Sequence, residues 1–172
     1  MTLELLPTHR ETLVVVGTSI RKNLPTLRAH LTSLGAQELP SRTKLHFVYV
    51  PDFTREQDDA REYLMKWVNN RGGELIRGMP SGAADYREGP VTHEWSHSAM
   101  ARVGSNKNMI IQRALELRAD YVFFCDSDLV LDKTTISSLL AAQKPIVSGV
   151  YWTYWHKTGV ETGQLHAAPQ VW

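Results

Sequence analysis

The chain has one cysteine, Cys125, in 172 residues. An intrachain disulfide is therefore excluded, and the place of Cys125 at the end of an apolar run points to a reduced, buried thiol. Long apolar stretches are also missing: no run is long enough to cross a bilayer, and Met1 to Glu11 carries Glu4, His9, Arg10 and Glu11 rather than an export signal. A cytoplasmic location without a membrane span is the expectation. Nor is there an excess of charge of either sign, since 19 Lys and Arg stand against 18 Asp and Glu. That balance argues against a nonspecific nucleic-acid partner, but it leaves a phosphate-bearing small ligand open. With no internal repeat or low-complexity tract, residues 1–172 read as a single domain large enough to bury a core.

What is present alternates between two periods. Leu13-Val14-Val15-Val16, closed by Gly17-Thr18-Ser19, reads as a buried first strand and its loop. Asn23 then offers a cap, Pro25 suits a first turn, and Leu24, Leu27, Leu31 and Leu34 form a helical stripe that Gly35 ends. Lys44 to Val50 is a second strand. Thr54 with Gln57 has the pattern of a capping box, and Ala60, Tyr63, Leu64, Trp67 and Val68 recur on one helical face. Gly72-Gly73 breaks that helix, and Glu74 to Arg77 is a short third strand. Gly78 to Gly104 is rich in glycine and proline and reads as a long loop, with Arg87, His93, His97 and Arg102 as candidate ligand contacts. Ser105 caps a helix through Arg118. A further strand, Tyr121-Val122-Phe123-Phe124-Cys125, a helix over about 134–142 and a strand over 145–151 complete an alternation that predicts a mostly parallel, three-layer α/β sheet.

Ligands in such sheets bind beyond the carboxyl ends of the strands. Asp126-Ser127-Asp128 comes directly after the apolar run ending at Cys125, and strand alternation predicts that the two carboxylates share a face while Ser127 points away. Two carboxylates that close repel, and a divalent cation with hard-oxygen preference, Mg²⁺ or Mn²⁺, offsets the repulsion. Thr18, Ser19 and Asp52 stand at two other strand ends. Arg102 and Lys107, read near a helix N-terminus, add positive charge for an anion. Lys107 equally suits a solvated helix surface, and Asn106 and Asn108 equally suit local capping.

This order of parts resembles the nucleotide-sugar-binding half of a GT-A-fold glycosyltransferase, close to the family 2 type. The resemblance rests on Val14 to Ser19, Val48-Tyr49-Val50-Pro51-Asp52, Arg102 with Asn106-Lys107-Asn108, and Tyr121 to Leu131, and covers about residues 13–152. It implies a Rossmann-like, GT-A-like fold and a metal-dependent, hexosyltransferase-type enzyme, moving a sugar from a UDP- or GDP-type donor to an unknown acceptor. It further implies that Thr18 and Ser19 line the base and ribose pocket, that Asp52 binds the base, and that Asp126, Ser127 and Asp128 hold ribose and a metal-bridged diphosphate through Asp126 and Asp128. The family 2 pattern places Asp-Asp-Gly-Ser after the second strand, where this chain has Asp52-Phe53-Thr54, so the base is not identified.

Beyond the last strand, Tyr151-Trp152-Thr153-Tyr154-Trp155-His156 is aromatic, and Trp152 is a candidate for stacking on a sugar. The resemblance implies a downstream histidine as third metal ligand, for which His166 and His156 are available. A lone histidine is more often structural. Little of the usual acceptor region is present, and residues 153–172 read as an acceptor or interface segment. The expectation is a donor-binding portion, a minimal enzyme completed as a homo-oligomer, or a non-catalytic nucleotide-sugar-binding domain. The catalytic base is unknown; Asp132 and Glu161 are the nearby carboxylates. A haloacid-dehalogenase-like phosphotransferase shares Asp-X-Asp but places it on the first strand. A nucleotidyltransferase needs a glycine-rich loop where Gly17-Thr18-Ser19-Ile20-Arg21 has one glycine, and a Toprim-type nuclease needs an earlier acidic motif.

Overall fold

The computed structural model describes residues 10–53, 57–78, 86–88, 93–156 and 165–171. Its centre is β1 (Thr12–Ile20), whose β-branched run is buried on both faces, as a strand inside a parallel sheet requires. β1 pairs in parallel with β2 (Thr43–Pro51) on one side. Helix α1 (Leu24–Gly35) makes that crossover, and it starts as its sequence predicts: the Asn23 side chain accepts from the Thr26 N–H, Pro25 lies in the first turn, and Leu27, Leu31 and Leu34 are buried. Helix α2 (Asp58–Asn69) and the short β3 (Glu74–Leu75) come next, with β3 parallel to β2. Helix α2 begins after Gln57, and the expected capping box falls on Thr54, which lies outside the described residues.

The segment 78–104, expected as one long loop, contains regular structure. β4 (Tyr86–Glu88) and β5 (His93–Trp95) pair antiparallel, and α3 (His97–Glu116) begins well before Ser105. Ser96 is the cap, accepting from the Ala99 N–H, so Ser105 sits inside a helix of 20 residues. β6 (Tyr121–Phe124) then returns beside β1, also parallel, giving a four-stranded sheet in the order β3-β2-β1-β6. Helix α4 (Thr135–Ala141) comes after it. The last strand begins later than expected: β7 (Val150–His156) pairs antiparallel with β8 (Leu165–Val171) in a sheet of its own, while 145–149 is irregular.

Alternation along β1 builds three layers. Val14, Val16 and Ile20 join Leu27, Leu31, Phe47, Tyr49, Leu64, Trp67 and Ile136 in the larger core, beneath α1 and α2. Val15 faces the other way and packs with Val48, Val50, Ile110 and Ala114 beneath α3. Gly17 lies on the α3 side, where a Cβ would stand 2.5 Å from Ile110 Cγ2 and 2.8 Å from the Val48 carbonyl oxygen. The missing side chain is what lets α3 approach the sheet. Glu74 ties β3 to both neighbours, accepting from Arg113 Nε at 2.7 Å and facing His46 Nε2 at 2.9 Å. Burial pushes its pKa up, but the hydrogen bonds and charges of Arg113 and His46 together hold it below its ordinary value. Among the described residues no helix is long and apolar enough to cross a membrane.

Candidate functional site at the carboxyl edge of the sheet

Because β1, β2, β3 and β6 all run the same way, their carboxyl ends open on one edge. Two basic residues leave β1 there in succession and turn to different carboxylates. Arg21 Nη1 stands 3.7 Å from Asp52 Oδ2, at the end of β2, and Lys22 Nζ stands 2.7 Å from Asp128 Oδ2, beyond the end of β6. Asp52 is also 3.5 Å from Arg102 Nη2, and the Arg102 side chain is only 7 % exposed. The Asp52 N–H donates to the Ile20 carbonyl at 2.9 Å, which fixes the loop against β1.

The N-terminal half of α3 completes the edge. Its buried residues are Ala99, Arg102, Asn106, Ile110 and Ala114, one stripe that is polar where it meets the carboxyl edge and apolar where it covers the sheet. Asn106 Nδ2 donates to Ser19 Oγ at 3.0 Å, while its Oδ1 is buried without a hydrogen-bond partner. A Cβ on Gly78 would run into that same Oδ1 and into Val50.

Asp126-Ser127-Asp128 lies just past β6, in a turn closed by the Leu129 N–H donating to the Asp126 carbonyl at 3.1 Å. The segment is a turn and not strand, so strand alternation does not set its side chains; Ser127 is 5 % exposed and both aspartates are exposed. Helix α1 anchors the chain immediately beyond this turn. His30 Nδ1 bonds the Leu129 carbonyl at 2.8 Å, Ser33 Oγ accepts from the Leu131 N–H at 3.1 Å, and Gln37 donates to the Asp132 carbonyl and accepts from the Ile136 N–H. Burial lowers the His30 pKa, with the Leu129 bond and the charges of Asp128 and Asp126 opposing it. Burial, and then the same two aspartates, push the Cys125 thiol up to about 12, which leaves it protonated and unreactive.

The candidate residues are distributed unevenly. Asp52 meets Arg102, Ser19 meets Asn106 on the same helix, and Asp128 is reached by Lys22, the residue after the Arg21 that faces Asp52. Thr18 is 4 % exposed within β1, with its hydroxyl turned toward the Ser19 carbonyl. Lys107 is mid-helix, its ammonium 5.5 Å from the Phe124 ring centroid, so the expected help from a helix N-terminus does not apply to it. Asn108 is exposed on α3 while Asn106, two residues earlier, is buried. Trp152 pairs with Pro169 and His166 with Trp155 in the β7–β8 hairpin, and His156 lies in β7. The side chains of these residues, and those of Arg87 and His93, lie outside the described residues, as does Glu161. His97 is exposed at the start of α3. The Asp132 carboxylate accepts from both the N–H and the hydroxyl of Thr134, which lower its pKa, so it serves the local turn. Among the described residues no group of three or more His, Cys, Asp or Glu side chains converges. Sequence reasoning passed over Arg21, Lys22 and His30. The signal for the first two was available: consecutive basic residues immediately after a parallel strand.

An open parallel sheet with α-helical crossovers, polar groups gathered along its carboxyl edge and a carboxylate-bearing turn after its edge strand β6 is the GT-A-like architecture that the sequence predicts. The model of glycosyltransferase family 25, N-terminal domain, matches residues 11–156, and the chain belongs to that family. A glycosyltransferase 25 family member of Aedes aegypti is 30% identical over 151 residues, covering 83% of this chain and 24% of that protein. One of Drosophila melanogaster is 26% identical over 140 residues, covering 78% and 22%. The chain thus spans less than a quarter of the length of these relatives. The crystal structure of S. aureus TarS superposes with a TM-score of 0.48 and 18% identity, over 76% of this chain and 19% of that one.

Proposed function

We propose that this domain binds the donor of a metal-dependent glycosyltransferase, which moves a sugar from a UDP- or GDP-type nucleoside-diphosphate sugar to an acceptor. The observation that carries the reading is the exposed pair Asp126 and Asp128 on the turn after β6, with Lys22, from the end of the adjacent parallel strand, on Asp128. The donor set suits Mn²⁺ or Mg²⁺: two exposed carboxylates offer hard oxygens, and the ammonium of Lys22 on Asp128 marks a place that already attracts a cation. A cation bound there supplies electrostatic stabilisation of the leaving diphosphate.

The remaining work falls to the chain's own groups. Asp52, held beside Arg21 and Arg102, and Ser19, held by Asn106, present a fixed polar edge to the nucleoside. Lys22 lies beside the same carboxylate that faces the diphosphate, and its charge adds to the neutralisation of that anion.

The test is calorimetry on Asp128→Ala. The variant keeps its fold, because Asp128 is exposed, and loses the Mn²⁺-dependent part of its affinity for UDP or GDP. Unchanged Mn²⁺-dependent affinity in the folded variant overturns the assignment. A thermal-shift panel of UDP-, GDP-, CMP- and dTDP-sugars, with and without Mn²⁺, identifies the base, since a ligand that binds only the native state raises its stability.

A further inference from the structure

His30 has no exposed surface, and its ring reaches across 99 residues of sequence to the Leu129 carbonyl. A carbonyl only accepts, so the proton is on Nδ1 and Nε2 keeps its lone pair. That second nitrogen is buried without a hydrogen-bond partner. An aliphatic side chain would fill the same space in α1 without stranding a polar atom, so packing does not account for an imidazole here. Its specific contribution is the bond to Leu129.

Leu129 is the residue after Asp128, and both of its backbone groups are engaged. The N–H closes the turn onto the Asp126 carbonyl, and the carbonyl is held against α1 by His30. Ser33 repeats the device one helical turn on, donating to the His30 carbonyl at 2.7 Å and accepting from Leu131. The aspartates themselves are exposed on the turn, so its orientation is set from the buried side.

We propose that His30 is a positioning residue for the carboxylate pair: by fixing the Leu129 carbonyl to α1 it sets the turn from which Asp126 and Asp128 project. The inference rests on reading those two aspartates as the cation-holding pair. Its test compares His30→Asn, whose amide N–H falls where Nδ1 stands, with His30→Gln, whose amide extends toward Nε2, and with His30→Leu. Mn²⁺ affinity of the full chain, measured with the metal alone by electron paramagnetic resonance, is the readout, with far-UV circular dichroism reporting the fold. His30→Leu is expected to bind Mn²⁺ about tenfold more weakly, the equivalent of one hydrogen bond, and His30→Asn to recover most of that. If His30→Leu does not fold, the Asn and Gln variants decide: tighter binding by Asn supports positioning, and equal binding overturns it. A folded His30→Leu with native Mn²⁺ affinity also overturns it. If Asp128→Ala keeps native Mn²⁺ affinity, the failure belongs to the donor-site reading instead.

Discussion

Lys22 and Asp128, at the ends of neighbouring parallel strands, lie 2.7 Å apart, while the residue before Lys22 turns to Asp52. One dipeptide at the end of β1 thereby serves two carboxylates on opposite sides of the strand. On the donor-site reading, the ammonium holds ground that a divalent cation must share or take over, so the two compete.

Removing Lys22 should therefore tighten metal binding. The pair is partly exposed, at 22% and 45%, and such ion pairs contribute about 0.2–1 kcal/mol. Lys22→Met is expected to bind Mn²⁺ more tightly by a factor of about 1.4 to 5, which metal titration at low ionic strength reads directly. Weaker binding would show that Lys22 organises the site and does not compete for it.

His30 sets a pH dependence with a definite sign. Its imidazole is kept neutral in the fold by burial, below its ordinary pKa of 6.5, despite the opposing charges of Asp128 and Asp126. The unfolded chain takes up a proton that the folded chain refuses, so this contribution is fully present above pH 6.5 and is lost as pH falls below it. The slope is at most about 1.4 kcal/mol per pH unit. Urea unfolding at pH 7.5 and 5.5 should show a smaller pH difference for His30→Asn than for the native chain; equal differences would assign the slope to other groups.

Gly17→Ala should destabilise the domain by about 1–3 kcal/mol, the range for overpacking a tight core. The Cβ would press on Ile110, a side chain that can turn, and on the Val48 carbonyl, a backbone atom inside the sheet that cannot. Chemical denaturation checks this; an unchanged midpoint would show that α3 moves off the sheet far enough to admit the methyl group.

The elements that sequence made legible are those whose signals are local. Asn23, Pro25 and the leucine stripe of α1 behave as their chemistry predicts, and the valines of β1 are buried because a parallel strand has two covered faces. Helix α3 was half hidden, since its buried stripe is carried by Arg102 and Asn106 before it becomes apolar at Ile110, and periodicity counts apolar residues. The carboxylate pair was visible as Asp-X-Asp, but its geometry comes from a turn held by His30 and Ser33 on a helix far away in sequence. No local pattern announces that. Arg21 and Lys22 lay in plain view, and only the parallel arrangement of β2 and β6 around β1 reveals their separate partners.

Strand β6 finds its place beside β1 through contacts such as the Leu13 N–H with the Asp120 carboxylate, 107 residues apart. Long-range pairings close late in folding because the intervening chain must first be ordered. On a ribosome, a nascent chain extended only through α2 already contains Arg21 and Asp52, but nothing yet for Lys22 to meet. Any fragment ending before β6 would carry half of the constellation and lack the pair that the donor reading depends on.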